Sequence, residues 1–283
     1  MLKCQVFVAW FFILTSFEAS CADTGYRIQA AKGPYFLCDE RVVEDRWLAE
    51  RFAVPLKKHS ENPLIVGDHP WEGTGPLMGG SVLYDPNDSM YKIWYGVWNN
   101  HRYSNKLPFS YNICYAESKD GLRWVKPPLG IFKHEDDPAN NCIVLGLDKT
   151  QAIDVCLNPR PDEYPGRFLA IHNQKGGVFV SSSNDGKTFT ILHGTPAIPY
   201  HSDTHNNFVY DDVRDRWLIF CRPRAYAGDH KRRVSFQTSN DLKTWTHDRT
   251  ILIPTETETQ EFYGMTVFRL GDLFWGMVQV YDR

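Results

Sequence analysis

The chain has 283 residues and a formal net charge of −3, so it is close to neutral. It carries no basic stripe of the kind that contacts a phosphate backbone, which argues against nucleic acid as a partner. Its length is ample for one large all-β domain or two small ones.

Residues 1–22 have the form of a secretory signal peptide. Lys3 provides a positive start, residues 6–15 are apolar, and small residues at 20–22 precede a cleavage point after Ala22. The apolar run is too short for a membrane-spanning helix, which takes about 20 residues. We therefore expect export to the periplasm or the cell exterior, with lipid attachment at Cys21 as the alternative and with no later membrane span.

Five cysteines follow the predicted cleavage point: Cys38, Cys114, Cys142, Cys156 and Cys221. Their odd number and the absence of a CxxC pair favour neither a disulfide framework nor a zinc site. Several of them lie inside apolar strand patterns, so we expect buried free thiols. Export permits one disulfide pair at most.

Strand-like runs bounded by turn residues begin near residue 76. The stretch "SVLYDPNDSMYKIWYGV" (81–97) predicts two strands joined by an Asp-Pro-Asn-Asp turn. The stretches 155–172, 208–222 and 267–281 repeat this hairpin pattern. Because almost no helical periodicity is present, the sequence predicts an all-β fold.

A Ser-x-Asp turn recurs three times after these hairpins, as "SKDGLRW" (118–124), "SNDGKTF" (183–189) and "SNDLKTW" (239–245). Its Asp can accept hydrogen bonds from turn amides, and the aromatic residue that closes each turn can pack between repeats. A repeat of this length with four short strands is typical of propeller blades. We predict blades at about 76–130, 150–195 and 203–253.

The first half of a further blade is predicted at 262–283, so that about three and a half blades are present. Residues 76–283 would form the propeller, and residues 23–75 an N-terminal segment that packs on it or completes it. Since a propeller needs about four or more blades to close, we expect the sequence to be a fragment of a longer protein.

The turn "SNDLKTW" resembles the one in five-bladed propellers of glycoside hydrolase families 32 and 43. The chain also resembles exported bacterial proteins, common in planctomycetes, that are usually labelled family-32-like. The pieces that carry this resemblance are 35–45, 55–73, 114–130 and 260–281. It implies an all-β, five-bladed β-propeller that acts on carbohydrate.

In the resembling hydrolases, three carboxylates meet where the innermost strands open into a central channel. One group must protonate the leaving oxygen while another attacks or activates water. The corresponding candidates here, as catalytic residues, are Glu72, Asp154, Asp203 and Glu261. The family 32 nucleophile motif is missing at 76–82, and the Asp-Pro-Asn-Asp turn lies after its strand, so we reject that turn as catalytic.

Each candidate has a structural alternative. Glu72 could hold a loop through backbone amides, Asp154 could cap a turn, and Glu261 could be a solvated loop acid. Asp203 lies in a polar cluster with His201 and His205. The predicted substrate-binding residues are Trp71, Trp98, His205, Asn206 and Arg222.

The sequence therefore predicts an exported glycoside hydrolase with a carbohydrate substrate and no cofactor. The sequence leaves open whether a structural ion, such as calcium, is bound in the channel. The alternatives are a glycoside phosphorylase on the same scaffold and a non-catalytic propeller that binds glycans or a protein. Hydrolysis requires two carboxyl groups about 5–10 Å apart across one pocket, which a structure can test.

Overall fold

A computed structural model of the protein describes residues 47–52, 54–132, 139–143, 145, 150–226, 228–255, 259–270 and 273–282. The predicted signal peptide lies outside these ranges. The chain divides into two compact units, Lys57–Phe268 with Trp275–Arg283, and Met1–Leu56 with Arg269–Phe274. The site and the sheet interfaces described below belong to the first unit. Within the described ranges, no helix has the length and apolar composition needed to cross a bilayer.

The described residues form four sheets, each made of strands that follow one another along the chain. The first sheet contains β1 (Pro76–Asp85), β2 (Met90–Trp98) and β3 (Tyr111–Ser118). The second contains β4 (Gln151–Leu157), β5 (Phe168–Gln174), β6 (Gly177–Ser183) and β7 (Thr190–Ile191).

The third sheet contains β8 (Asn207–Asp211), β9 (Arg216–Cys221), β10 (Val234–Ser239) and β11 (Arg249–Leu252). The last contains β12 (Gln260–Leu270) and β13 (Leu273–Asp282). A single 3₁₀ turn (Pro70–Glu72) precedes β1, and a short helix α1 (Asn100–Ser104) joins β2 to β3. The four predicted repeats thus correspond to the four sheets.

The hydrophobic core lies between consecutive sheets. Successive side chains of a strand point to opposite faces of its sheet. In β5, Phe168 and Ala170 pack in a cluster with Trp94 and Tyr115 of the first sheet. From the same strand, Leu169 and Ile171 pack in another cluster with residues of β8 and β9. Every residue of β5 is buried, so the second sheet is covered on both faces.

A series of polar contacts links the first strands of all four sheets. The Ser81 hydroxyl of β1 donates a hydrogen bond to Asp154 of β4. The Asn207 side chain of β8 donates to the same carboxylate at 2.8 Å and accepts from the backbone N–H of Val267 in β12 at 2.8 Å. These strands therefore lie side by side as the innermost strands, and the predicted all-β, propeller-type fold class is confirmed.

The three Ser-x-Asp turns have the predicted structural role. Asp120 Oδ1 accepts hydrogen bonds from the backbone N–H groups of Leu122 and Arg123, both at 2.8 Å. The same pattern recurs at Asp185 and Asp241. Each Asp therefore stabilises the turn that follows the third strand of its sheet.

The second turn also connects the first two sheets. In the second turn, Gly186 accepts a hydrogen bond from the Trp94 indole of the first sheet at 2.6 Å. Gly186 has a φ of 72°, and a Cβ there would lie 2.8 Å from the Trp94 ring. A residue without a side chain is therefore required both by the backbone conformation and by the close approach of Trp94.

Asp85 ends β1 in the hairpin turn that was rejected as catalytic, and it joins the first two sheets. Its carboxylate accepts hydrogen bonds from Lys92 of β2 at 2.7 Å and from Arg167, which directly precedes β5. Burial opposes the ionisation of Asp85, but the hydrogen bonds from Arg167 and Lys92 outweigh it and lower its pKa to about 2. This hairpin turn is thus a structural junction.

Asp85→Asn is expected to destabilise the protein by about 2 kcal/mol at pH 7, since the lowered pKa measures how far folding favours the ionised carboxylate. The folded pKa lies below the value of the unfolded chain. The stabilisation is therefore complete above about pH 4 and is lost as the pH falls through about 2. Urea unfolding at a series of pH values measures this dependence.

Asp88→Asn is the matched control, because Asp88 contacts the same lysine but its side chain is 47% exposed. It should cost much less stability. Equal costs for the two variants, or a cost for Asp85→Asn that does not change with pH, would contradict the assignment.

Candidate functional site

A cavity of about 120 Å³ lies at the end of the sheets where the innermost strands begin. Its lining includes Leu77 of β1, Ala152 of β4, the loop residues 203–205 that precede β8, and Tyr263 of β12. Residues of three sheets and of the loop that leads into the third sheet thus line the wall of one cavity.

Asp203 is the carboxylate on this wall. Its side chain is 67% exposed, and its Oδ2 lies 3.4 Å from Arg222 Nη1. His201 Nε2 lies 4.0 Å from the other carboxylate oxygen. Among the lining residues that the structure describes, Asp203 is the one acid. A ligand in the cavity can therefore reach this carboxylate directly.

Hydrogen bonds within the loop that carries Asp203, and from the loop to neighbouring segments, hold this loop in place. Ser202 Oγ donates to Asn206 Oδ1 at 2.7 Å and accepts from the backbone N–H of Arg222 at 3.2 Å. Thr204 Oγ1 donates to the carbonyl of Tyr263 at 2.8 Å. Asn206 is 3% exposed and its carboxamide oxygen is taken up inside the loop, so the structure gives it a positioning role.

Asp154 lies buried behind the wall, in the middle of the polar series between innermost strands. Its oxygens accept hydrogen bonds from Ser81, from Asn207 at 2.8 Å and from the backbone N–H of Phe208 at 2.6 Å. Burial raises the pKa of Asp154, and the nearby His205 opposes this rise. Asp154 therefore orients the chain that leads into β8 and interacts electrostatically with a residue of the cavity wall.

His205 lines the cavity and is 8% exposed. Its Nδ1 atom is buried and has no hydrogen-bond partner among the described residues. A buried ring nitrogen without a partner loses the hydrogen bond that water would have supplied. His205 thus has a buried polar atom without a partner on the wall that also carries the exposed Asp203 carboxylate.

Arg222 supports two parts of the wall at once. Besides its contact with Asp203, its Nε donates to the Tyr263 carbonyl at 3.2 Å. Its guanidinium lies 4.3 Å from the centre of the Tyr263 ring. The side chain is 6% exposed. Arg222 therefore fixes the relative positions of Asp203 and Tyr263.

Glu72 is fully buried and does not line the cavity. It accepts hydrogen bonds from the Tyr95 hydroxyl at 2.7 Å, from Lys126 Nζ at 2.7 Å, and from the backbone N–H groups of Asp68 and His69. These contacts hold the segment before β1 against the first sheet. They match the structural alternative for Glu72 and leave its oxygens occupied.

Glu261 is also fully buried and absent from the cavity wall. It accepts hydrogen bonds from the backbone N–H and the Nη1 of Arg232, at 2.8 and 3.0 Å. It is therefore not the solvated loop acid of the structural alternative. Of the four predicted carboxylates, the structure places Asp203 on the cavity wall, Asp154 buried behind it, and Glu72 and Glu261 in buried ion pairs.

The two tryptophans predicted to bind substrate have different surroundings. Trp98 belongs to an aromatic cluster with Tyr103 and Tyr111, at centroid distances of 5.7 and 6.4 Å, and Tyr111 lines the cavity. Trp71 is 5% exposed and donates to Asn141 Oδ1 at 2.7 Å. Trp98 thus lies beside the site, whereas Trp71 is buried in the hydrophobic core.

Tyr111 and Tyr263 are cavity residues that the sequence analysis did not select. Tyr111 is the first residue of β3, and Tyr263 lies two positions after Glu261 near the start of β12. An aromatic residue at the start of a strand was the available signal. Because this chain is rich in aromatic residues, that signal does not distinguish residues that line a cavity from residues that pack in the core.

Buried polar atoms without a protein partner concentrate at this end of the sheets. Such atoms are rare in folded proteins because burying them unpaired is costly, so they indicate bound water or a ligand. Within the described residues they include Trp98 Nε1, Ser110 Oγ, Asn173 Oδ1, both polar atoms of the Gln174 side chain, His205 Nδ1 and Arg222 Nη2.

The sheet order and the cavity define a β-propeller with a polar, aromatic-flanked site where its innermost strands begin. No protein-family model matches the sequence, and no curated protein matches it. Among solved structures, the chain is similar to an N-acetylgalactosamine deacetylase from F. plautii, with a TM-score of 0.51 and 19% identity. The alignment covers 77% of this chain and 66% of the deacetylase. This similarity concerns the fold.

Two further structures align at lower TM-scores. An α-L-arabinanase from Cellvibrio cellulosa gives a TM-score of 0.48 and 10% identity over 74% of this chain and 70% of its own. A fructofuranosidase from Schwanniomyces occidentalis gives 0.45 and 14% identity over 82% and 48%. This chain thus spans just under two thirds of the deacetylase and about half of the fructofuranosidase.

Asp154→Asn is expected to change how stability depends on pH. Burial raises the folded pKa of Asp154 above its ordinary value of 3.8, so its contribution to stability is complete below about pH 4 and falls as the pH rises through the folded pKa. The variant has no such loss. As the pH rises from 4 to 7, the free energy of unfolding of the wild type should therefore decrease relative to that of the variant, as measured by urea unfolding.

The control is Asp85→Asn, whose difference from wild type should stay constant from pH 4 to 7, because the lowered pKa of Asp85 confines its pH dependence to below about pH 4. A difference between wild type and Asp154→Asn that stays constant from pH 4 to 7 would show that burial does not penalise the charge of Asp154.

Proposed function

We propose that this protein is an exported glycoside hydrolase of the five-bladed β-propeller type, similar to families 32 and 43, that cleaves its substrate in the cavity lined by Asp203. The observation that carries the proposal is the open Asp203 carboxylate in a cavity lined by three sheets and the loop that leads into the third sheet. The signal-like residues 1–22 support export.

The surroundings of Asp203 suit a carbohydrate. Sugar hydroxyls both donate and accept hydrogen bonds, and the unpartnered buried atoms at this site include the donors Trp98 Nε1 and Arg222 Nη2 and the acceptor Asn173 Oδ1. Tyr103 is 52% exposed beside the cavity residue Tyr111, so an aromatic face is available for stacking. The deacetylase of similar fold is complexed with blood group B trisaccharide, which supports a sugar ligand.

Glycoside cleavage needs a proton donor and a group that attacks or activates water. We assign the second task to Asp203, because its carboxylate is exposed to the cavity. We assign the first task to His205, because it lies on the same wall and its buried Nδ1 atom has no hydrogen-bond partner among the described residues. Asp154 acts through the loop that it orients.

Asp203→Asn is expected to lower kcat/KM about 10²- to 10⁴-fold, the usual contribution of an acid–base group, while the protein stays folded. The measurement is release of reducing ends from a glycan panel, followed by full kinetics on the best substrate. Because the Asp203 side chain is exposed, the substitution should change the melting temperature of the protein little.

Glu72→Gln is the matched control among the predicted carboxylates. It breaks a buried ion pair with Lys126 and should lower the melting temperature, yet the folded fraction should keep its turnover rate. Unchanged activity in Asp203→Asn, or loss of turnover in folded Glu72→Gln, would contradict the assignment of the site.

A glycoside phosphorylase is the second candidate, and one observation favours it. Asp203 is the one acid among the described lining residues, and phosphorolysis needs a single acid because phosphate attacks in place of activated water. Running the same glycan panel with and without inorganic phosphate separates the two reactions. A sugar phosphate formed only with phosphate indicates phosphorolysis, whereas saturable binding without any product indicates a glycan-binding propeller.

A further inference from the structure

Two buried cysteines face each other at the edge of the first sheet. Cys114 lies in β3, and its Sγ is 3.7 Å from the Sγ of Cys142. Cys114 is fully buried, Cys142 is 1% exposed, and both are free thiols in the structure. Cys142 belongs to the connection between the first and second sheets, which returns to pair with β3.

The backbone around the two cysteines has the geometry of a cross-strand disulfide. Cys114 and Cys142 form an antiparallel bridge. It is flanked by hydrogen bonds from Tyr115 N–H to the Asn141 carbonyl and from Ile143 N–H to the Ile113 carbonyl, each 2.9 Å. Such a site is the non-hydrogen-bonded type, in which opposite Cα atoms are about 4.5 Å apart. Disulfides span Cα distances of about 4.4–6.8 Å.

We propose that Cys114 and Cys142 form a disulfide bond that fastens the connection between the first two sheets to β3. Two S–H bonds break and one S–S bond forms, with the loss of two protons and two electrons. A small-molecule disulfide such as oxidised glutathione accepts the electrons, and its own S–S bond breaks to give two thiols.

The bond forms while the chain folds. In the folded protein, burial raises the pKa of the Cys114 thiol, and the neighbouring Cys142 raises it further. The thiolate is the reacting species in disulfide exchange, so a buried neutral thiol reacts slowly. During folding both thiols are exposed, and the growing β-bridge brings them together.

The remaining cysteines do not compete within the described residues. Cys156 lies in β4 and Cys221 in β9, and both are free thiols. The bond between Cys114 and Cys142 closes a loop of 28 residues that contains the first Ser-x-Asp turn. Closing such a loop restricts the unfolded chain and should raise the melting temperature by roughly 5–10 °C.

The test is peptide mapping of the full chain after oxidative refolding. The protein is unfolded and reduced, refolded in a glutathione redox buffer, alkylated, and digested with trypsin without reduction. Cys114 falls in peptide 107–119 and Cys142 in peptide 134–149, and each of these peptides contains one cysteine. We expect the two peptides joined in one species, while those of Cys156 (150–167) and Cys221 (217–224) stay alkylated.

A second measurement compares melting temperatures. Oxidised wild type should lose its gain of roughly 5–10 °C on reduction. Cys142→Ser should show no difference between oxidising and reducing conditions, and the matched control Cys156→Ser should keep the full difference. Alkylation of both Cys114 and Cys142 in the refolded protein, or cross-links to other cysteines in their place, overturns the proposal. The peptide map of the wild type decides this even if a variant does not fold.

Discussion

The structure depends on the row of polar contacts that joins the first strands of its four sheets. Ser81, Asp154 and Asn207 connect β1, β4 and β8, and Asn207 extends the row to Val267 of β12. A carboxylate buried without donors would be costly, so the donors that reach Asp154 from two neighbouring strands define where those strands must lie. The apolar clusters between sheets then fill the space outside this row.

This row also explains the position of the cavity. Because the innermost strands run side by side, the segments that precede them converge at one end of the sheets. The loop before β8 carries Asp203 and His205 to that place, and it is braced by Ser202, Asn206 and Arg222. The exposed carboxylate is thus presented by a loop that internal hydrogen bonds and Arg222 hold in place. A reactive group held in a fixed orientation relative to its substrate lowers the entropic cost of the reaction.

The sequence analysis was most successful where the determinants are local. The Ser-x-Asp turns follow from the hydrogen bonds that an Asp makes with amides two and three positions ahead, so three copies of one pattern predict three copies of one structure. It was less successful in choosing among carboxylates. Glu72 is occupied by Lys126, which lies 54 residues away in sequence, and Glu261 is occupied by Arg232, which lies 29 residues away. No local sequence pattern predicts partners that lie so far away along the chain.

The sequence by itself determined the all-β class, the hairpins and the number of described sheets. These depend on alternating side chains and on turn residues, which act over a few positions along the chain. Only the tertiary structure decided which polar residues are open to a ligand. Asp203 and Glu72 are both acids near the start of an innermost strand, yet one is 67% exposed and the other fully buried. The difference arises because burial and ion pairing are settled by residues that folding brings in from other strands.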